Sequence, residues 1–267
     1  MEPNVQEVLA PNPGPFTLEG TNTWIVGAGP SVVIDPGPDD RGHLEAVRER
    51  AGRIAAILLT HHHLDHAQGA AAMSHGTGAP IMAASPRSGE QPLQGGMTVE
   101  AGDVALQVVA APGHSPDHMV FFDGERSALF TGDAVLGRGT SVIDPPEGDL
   151  AEYVRSLHRM VDLRPEVILP GHGPIVRPAI AKLIEYLEHR EERERQVLAV
   201  LRDGPRRPEE IVPAIYAEYP EALRAAAARS VLAHLIKLER EGVVARVSPP
   251  FDLFELTDRG SHNDAPT

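Results

Sequence analysis

The stretch LLTHHHLDHAQG, residues 58–69, sets four histidines and an aspartate within six positions. Imidazole and carboxylate hold divalent cations through nitrogen and oxygen, and the chain has no cysteine to offer thiolate instead. If the backbone stays extended past Thr60, His61 and His63 share one face and His62 points away from them. Asp65 and His66 follow where the chain must turn into the Ala-rich segment from Ala67 onward. Four more spots repeat one design, an apolar run ending in a Gly turn with a metal-competent side chain: VVIDPG (Asp35), VVAAPGH (His114), ALFTGD (Asp133) and VILPGH (His172). Strand ends converge on one edge of a sheet, where loops hold ligands on a rigid scaffold. A lone HxH is an accident of composition and a lone DPG is a turn. The joint set points to metal.

The elements that must position these groups read as alternating strands and helices. IAAILLT is a buried strand leading into the histidines. FTLEGTNTWIVG, SVVIDPG, PIMAAS, MTVEAGDVALQVVAAPGH, MVFFDG, SALFTGD and EVILPGHG supply the other strands. Residues 38–51 read as helical. So does DLAEYVRSLHRMVDL, with Asp149 as N-cap and Leu150, Val154, Leu157 and Val161 on one stripe. PAIAKLIEYLEHREERERQVLAVL reads as a long helix whose character changes around Arg190. His43, His75, His158, His189, His234 and His262 are read as surface residues.

Composition limits the partners. The formal charge is −14, of which residues 1–189 carry −12, with 12 Lys+Arg against 24 Asp+Glu. An acidic region of this kind is a poor electrostatic footprint for a phosphate-backbone binder, although bound cations would offset part of it. The absence of cysteine removes disulfides and thiolate nucleophiles together. No segment is apolar enough to span a bilayer and the N-terminus lacks a secretory signal, so no membrane association and a cytoplasmic location are expected.

The order THHHLDH, His114, Asp133, His172 resembles the metallo-β-lactamase superfamily, over residues from about 16 to 189. The resemblance implies an α/β fold, the αββα metallo-β-lactamase sandwich. It also implies a first metal on His61, His63 and His114, a second on Asp65, His66 and His172, and Asp133 bridging both. Two Zn²⁺ are the expected cofactors, with Fe²⁺ or Mn²⁺ compatible with the same donors. A hydroxide held between two metals would then be the nucleophile. Asp65 and Asp133 are the catalytic candidates, Asp65 also as a proton relay. Asp35 is read as orienting a ligand or the loop beneath it. For His118, in GHSPDH, pocket-lining and plain structural roles stand level.

GHSPDHMVFF, GDAVLGRGTSVIDPPEGDLAEYVRSLHRM and PGHGP together resemble the beta-lactamase-like protein 2 group, which includes an endoribonuclease. Residues after 190 resemble that group's small winged-helix-like α+β domain: helices through 197–201, 208–216 and 223–241, then wing strands VVARV and FELT with SPPFD as the tip. The expected division is 1–189 catalytic, 190–258 winged-helix-like and 259–267 flexible tail. The resemblance ranks hydrolysis of single-stranded RNA first, with Arg224, Arg229, Lys237, Arg240 and Arg246 as candidate substrate contacts against the alternative of a solvated helix face. Acyl-thioester or glyoxalase II-like hydrolysis stands second, and the acidic balance and 4% aromatic content favour it. A nucleic-acid-binding protein with a vestigial metal site is the third reading. A homodimer is compatible with all three.

Overall fold

The computed structural model describes residues 4–218, 221–248 and 251–261. The chain forms two mixed sheets. The first contains β1 (Val5–Leu9), β2 (Asn22–Val26), β3 (Ser31–Ile34), β4 (Ile54–Leu58), β5 (Ile81–Ala83) and β6 (Gln91–Pro92) in that order. The second runs β11 (Val167–Pro170), β10 (Ala128–Gly132), β9 (Met119–Asp123), β8 (Val104–Ala110), β7 (Thr98–Ala101). Helices α1 (Arg41–Ala51), α2 (Leu64–Ala67) and α3 (Ala70–Thr77) lie in the β3–β5 crossovers. Helices α4 (Leu150–Asp162) and α5 (Ala179–Leu201) flank β11 in sequence.

Alternation along the strands builds three apolar layers. In β2, Trp24 and Val26 face the space between the sheets and Ile25 faces outward; in β10, Ala128 and Phe130 face inward and Leu129 outward. The inward set, with Phe121 and Leu169, forms the central core. Leu44, Val47 and Met73 cover the outer face of the first sheet, and Tyr153, Leu157 and Tyr186 that of the second. This is an αββα sandwich. Phe121 and Phe130 are fully buried, so truncating either to Ala would cost about 3–5 kcal/mol.

β4 departs from simple alternation. Ser31 pairs with Ile54 but Val32 with Ala56, so Ala55 is an extra residue and Ile54 and Ile57 end on the same outer layer. Helix α4 also turns differently from its expected stripe. Its fully inward positions are Leu150, Tyr153, Leu157 and Met160, while Val154 and Val161 are only partly covered. The large ring of Tyr153 and the thioether of Met160 shift the seam. Asp149 caps the helix as expected, accepting from the Glu152 amide. β1 carries no strong pattern and is absent from the sequence reading. It pairs with β2 at the sheet edge.

Helix α5 continues unbroken through Arg190 and supports the C-terminal elements: α6 (Pro208–Ile215), α7 (Arg224–Arg240) and the hairpin β12 (Val244–Ser248) and β13 (Phe251–Leu256). Val197, Leu201, Ile211, Leu235 and Phe254 form their shared core. The proposed wing tip falls partly, at 249–250, outside the described residues, as do His262 and the rest of 262–267. The start of the stretch read as a flexible tail belongs to a short helix, α8 (Asp258–Ser261), whose Gly260 amide donates to Thr257 Oγ1. No helix among the described residues is long and apolar enough to cross a membrane.

Candidate metal centre

β3 and β4 are parallel neighbours, as are β10 and β11, so their C-terminal ends open onto one edge of the sandwich. Asp35 follows β3, His61 follows β4, Asp133 follows β10 and His172 follows β11. His114 lies in the loop after β8, and Asp65 and His66 sit on the single turn of α2. Folding gathers these side chains into two groups, each with its donor atoms within 4.8 Å of one another: His61, His63, His114 and Asp133, and Asp65, His66 and His172. Asp133 faces both. Its Oδ1 lies 3.3 Å from His66 Nε2 and 3.4 Å from His172 Nε2, and its Oδ2 lies 3.6 Å from His114 Nε2.

The donor chemistry fits divalent cations. His66 Nδ1 meets Asp35 Oδ2 at 2.9 Å, His172 Nδ1 the Gly20 carbonyl at 3.1 Å, and His114 Nδ1 the Val142 carbonyl at 3.0 Å. Each contact assigns the proton to Nδ1 and leaves the Nε2 lone pair aimed inward, as a ligand requires. His63 is turned the other way, with Nδ1 3.2 Å from His114 Nε2 and Nε2 3.3 Å from Glu147. His61 Nε2 and Asp133 Oδ1 are buried and make no hydrogen bond within the protein. Buried polar atoms left this way are costly unless something else satisfies them.

Electrostatics points the same way. Burial, reinforced by His66 and His118, holds His61 well below the usual imidazole range, so it is the neutral ligand form. Burial works against the charge on His66, yet Asp133 and Asp35 outweigh it and raise its pKa well above the ordinary value. Asp133 shows the converse, since burial would raise it but His66, His172 and His114 hold it well below the carboxylate range.

Supporting residues fix this geometry. Asp35, in a left-handed conformation at φ 50°, accepts from the Thr60 amide, the Thr60 hydroxyl and His66, so one carboxylate ties β4 to α2. Thr60 Oγ1 also meets His61 Nδ1 at 3.0 Å. A side chain at Gly171 would lie 2.7 Å from His66 Cε1 and 3.0 Å from Asp133 Oδ1, so the PGH turn needs glycine to leave those groups room. A side chain at Gly113, φ 138°, would strike the Tyr153 backbone at 2.3 Å. Across the mouth, Asn22 Nδ2 donates to the carbonyls of Pro170 and Gly173, and Trp24 Nε1 to that of Pro170. Thr60 opens the THHHLDH motif and Ser141 and Glu147 lie within GDAVLGRGTSVIDPPEGDLAEYVRSLHRM, yet the sequence assigns neither them nor Asn22 a role at the site.

His118 is buried, stacks on His61 and accepts from the Asp133 amide at 3.2 Å. Burial and His114 hold its pKa at about 3, so it is neutral. His62 does turn from the cluster, between Asp117 at 2.6 Å and Glu90 at 3.0 Å. Burial would raise Asp117, but the hydrogen bonds from His62 and Ser115 outweigh it and keep it at about 2. His75 and His158 are exposed as expected. His43 and His234 are instead buried, His43 because it packs beside Thr23 Oγ1 at 2.9 Å. His189 is half-buried and faces a cavity.

That cavity, about 780 Å³, opens over the centre. His63, Asp65, His114 and Asp133 line one side; Tyr216, Leu223, Ala225, Ala226 and Ala227 line the other. The five basic candidates diverge in fate. Arg229 meets Asp144 at 2.5 Å, Lys237 meets Glu194 at 2.9 Å, Arg240 pairs with Asp149, and Arg246 pairs with Asp252. Arg224 alone is exposed without an ion pair among the described residues.

An αββα sandwich with a histidine–aspartate cluster at its strand ends is the frame of a metal-dependent hydrolase. The chain belongs to the metallo-beta-lactamase superfamily, whose family model matches residues 16–90 and 72–172; the beta-lactamase associated winged helix domain matches residues 208–249. It is 34% identical over 267 residues to a beta-lactamase-like protein 2 homolog of Caenorhabditis elegans, covering 94% of this chain and 88% of that protein. It is 36% identical over 236 residues to an atrochrysone carboxyl ACP thioesterase of Aspergillus chevalieri, covering 82% and 75%. Among solved structures, a metallo-beta-lactamase family protein from Thermus thermophilus superposes with a TM-score of 0.80 at 25% identity, covering 95% of this chain and 99% of that one.

Proposed function

We propose that this hydrolase acts on acyl thioesters with two divalent cations, which His61, His63, His114 and Asp133, and Asp65, His66 and His172, would hold. Zinc is the first choice for this nitrogen and oxygen set, with iron or manganese as alternatives. When bound, such a pair supplies Lewis acidity toward a water and toward the scissile carbonyl. The chain's own residues do the rest. Asp65 lines the cavity, and its side chain is 29% exposed, so its carboxylate can take up a proton and return it to the leaving thiol. Thr60 and Asp35 hold His61 and His66 in register. The turn at Ser141 and Val142 holds His114, through contacts at 3.2 and 3.0 Å.

The observation that carries the substrate class is the wall opposite the centre. Leu223, Ala225, Ala226 and Ala227 present apolar side chains to the cavity. Four of the five basic residues that would serve a phosphate backbone are instead held by carboxylates. A cleft of this kind suits an acyl chain and reverses the order in which the sequence ranks RNA and thioester. The name of the Aspergillus chevalieri relative supports the same choice. The test is hydrolysis of short acyl thioesters by zinc-loaded protein beside cleavage of an unstructured RNA, with Asp133→Ala as control. Thioester turnover absent from the mutant is the expected result. RNA cleavage with no thioester turnover would overturn the reading.

A further inference from the structure

Five charged side chains other than the centre's own carboxylates line the cavity, and four have partners of opposite charge or a histidine. Arg138 pairs with Glu19, Arg229 with Asp144, and Glu147 with His63. Arg190 is different. It is 4% exposed and lines the same cavity, yet no carboxylate among the described residues lies within ion-pair distance. Its Nη2 donates to the Ser141 carbonyl at 2.6 Å and its guanidinium lies 5.1 Å from the centre of the Tyr153 ring, while its Nε has no partner. A guanidinium out of water is destabilising unless an anion compensates it, and one carbonyl and one ring fall short of that.

Its neighbour on the helix adds no negative charge to compensate it. His189, beside it on α5, also lines the cavity with Nδ1 buried and unpartnered. Burial first, then the positive charges of Arg190 and Arg193, push His189 down to about 4. The Ser141 that Arg190 holds also contacts His114 Nδ1 through its hydroxyl at 3.2 Å. The guanidinium is therefore one residue removed from the centre.

We infer that Arg190 is an oxyanion-binding subsite of this cavity, and that the substrate carries an acidic group, either a carboxylate on the acyl chain or a phosphate on the carrier. Arg supplies a planar fork of donors suited to both. His189 can add a neutral N–H. The inference deepens the thioesterase reading and rests on it for the acyl part of the ligand, though not for the anion.

Calorimetric titration of zinc-loaded protein with glutarate, inorganic phosphate and the neutral glutaramide tests it, comparing wild type with Arg190→Met and Arg190→Lys. Wild type should bind glutarate or phosphate at least about tenfold more tightly than Arg190→Met does, with glutaramide unmoved. Which anion responds identifies the source. Arg190→Lys keeps the charge and guards against misfolding of the Met variant. It should lose roughly threefold or more, because a point charge cannot hold Ser141 and a ligand together as the fork does. Equal anion affinity in all three proteins would overturn the subsite. A matched pair, glutaryl and pentanoyl N-acetylcysteamine thioesters, separates the two claims. Anion binding that depends on Arg190 without any thioester turnover would sink the reaction class and leave the subsite standing. Turnover with no dependence of binding on Arg190 would do the reverse.

Discussion

On the sheet side of the cavity, the donor groups follow strand ends or sit on the short helix α2, and three are held by buried partners: His66 by Asp35, His61 by Thr60, His172 by the Gly20 carbonyl. On the helix side, Arg229 of α7 is held by Asp144 from a distant segment and Arg190 of α5 has no carboxylate among the described residues, while Lys237 and Arg240, outside the cavity lining, are held by Glu194 and Asp149. The first wall is built from backbone ends and short side chains with little freedom to move. The second is built from flexible ion pairs worth little individually. A fold that keeps its reaction on one wall and its substrate contacts on the other can alter the second without disturbing the first.

The contrast predicts unequal consequences of mutation. Asp133→Ala removes the carboxylate that belongs to the first donor group and faces the second, so it should lose at least one metal per chain and roughly a thousandfold or more in turnover, several kcal/mol at about 1.4 kcal/mol per decade. Metal analysis with single-substrate kinetics checks this, and full occupancy with full activity would break the comparison at its strongest point. Asp35→Asn, one layer further out, should weaken metal affinity by about 10–100-fold in competition with a chelator, since His66 loses its anionic partner.

Gly171→Ala forces His66 and Asp133 apart and should cost about 1–3 kcal/mol in denaturant unfolding, together with metal affinity. On α7, outside the cavity lining, Arg240→Ala breaks the pair with Asp149, both partly exposed, and should change stability by no more than about 1 kcal/mol with metal content intact. A larger loss there would mean that the helix wall is as tightly built as the sheet wall.

The smallest effect is a pH dependence. His189 titrates at about 4 in the folded chain, against an ordinary value of about 6.5 in the unfolded one. Between those values the unfolded chain binds more protons. Stability from this group is therefore fully present above about pH 6.5 and lost as the pH falls toward 4. His234, also lowered mainly by burial, acts in the same direction. His189→Gln should flatten the fall in unfolding midpoint between pH 6.5 and 4 relative to wild type. Parallel curves for the two proteins would remove His189 from the account.

Legibility followed the same divide. The strands β3, β4, β10 and β11, their glycine turns and the seven donors can be read from consecutive residues, because each is an apolar run followed at once by its polar side chain. The seam of α4 was displaced by one large ring, Tyr153, which a count of aliphatic positions does not weigh. The buried state of His43 and His234 was equally hidden, since a lone histidine in a helix reads the same whether it faces water or a neighbouring element.

By itself, the sequence determined which atoms could hold metal and that they would stand at strand ends, because hydrophobic periodicity and turn chemistry are local properties of the chain. Only the tertiary structure decided what faces them. Asp144 lies 85 residues from Arg229, Asp149 lies 91 from Arg240, and Ser141 lies 49 from Arg190. Whether a basic side chain is free for a ligand depends on which carboxylate arrives beside it, and no local pattern encodes that meeting.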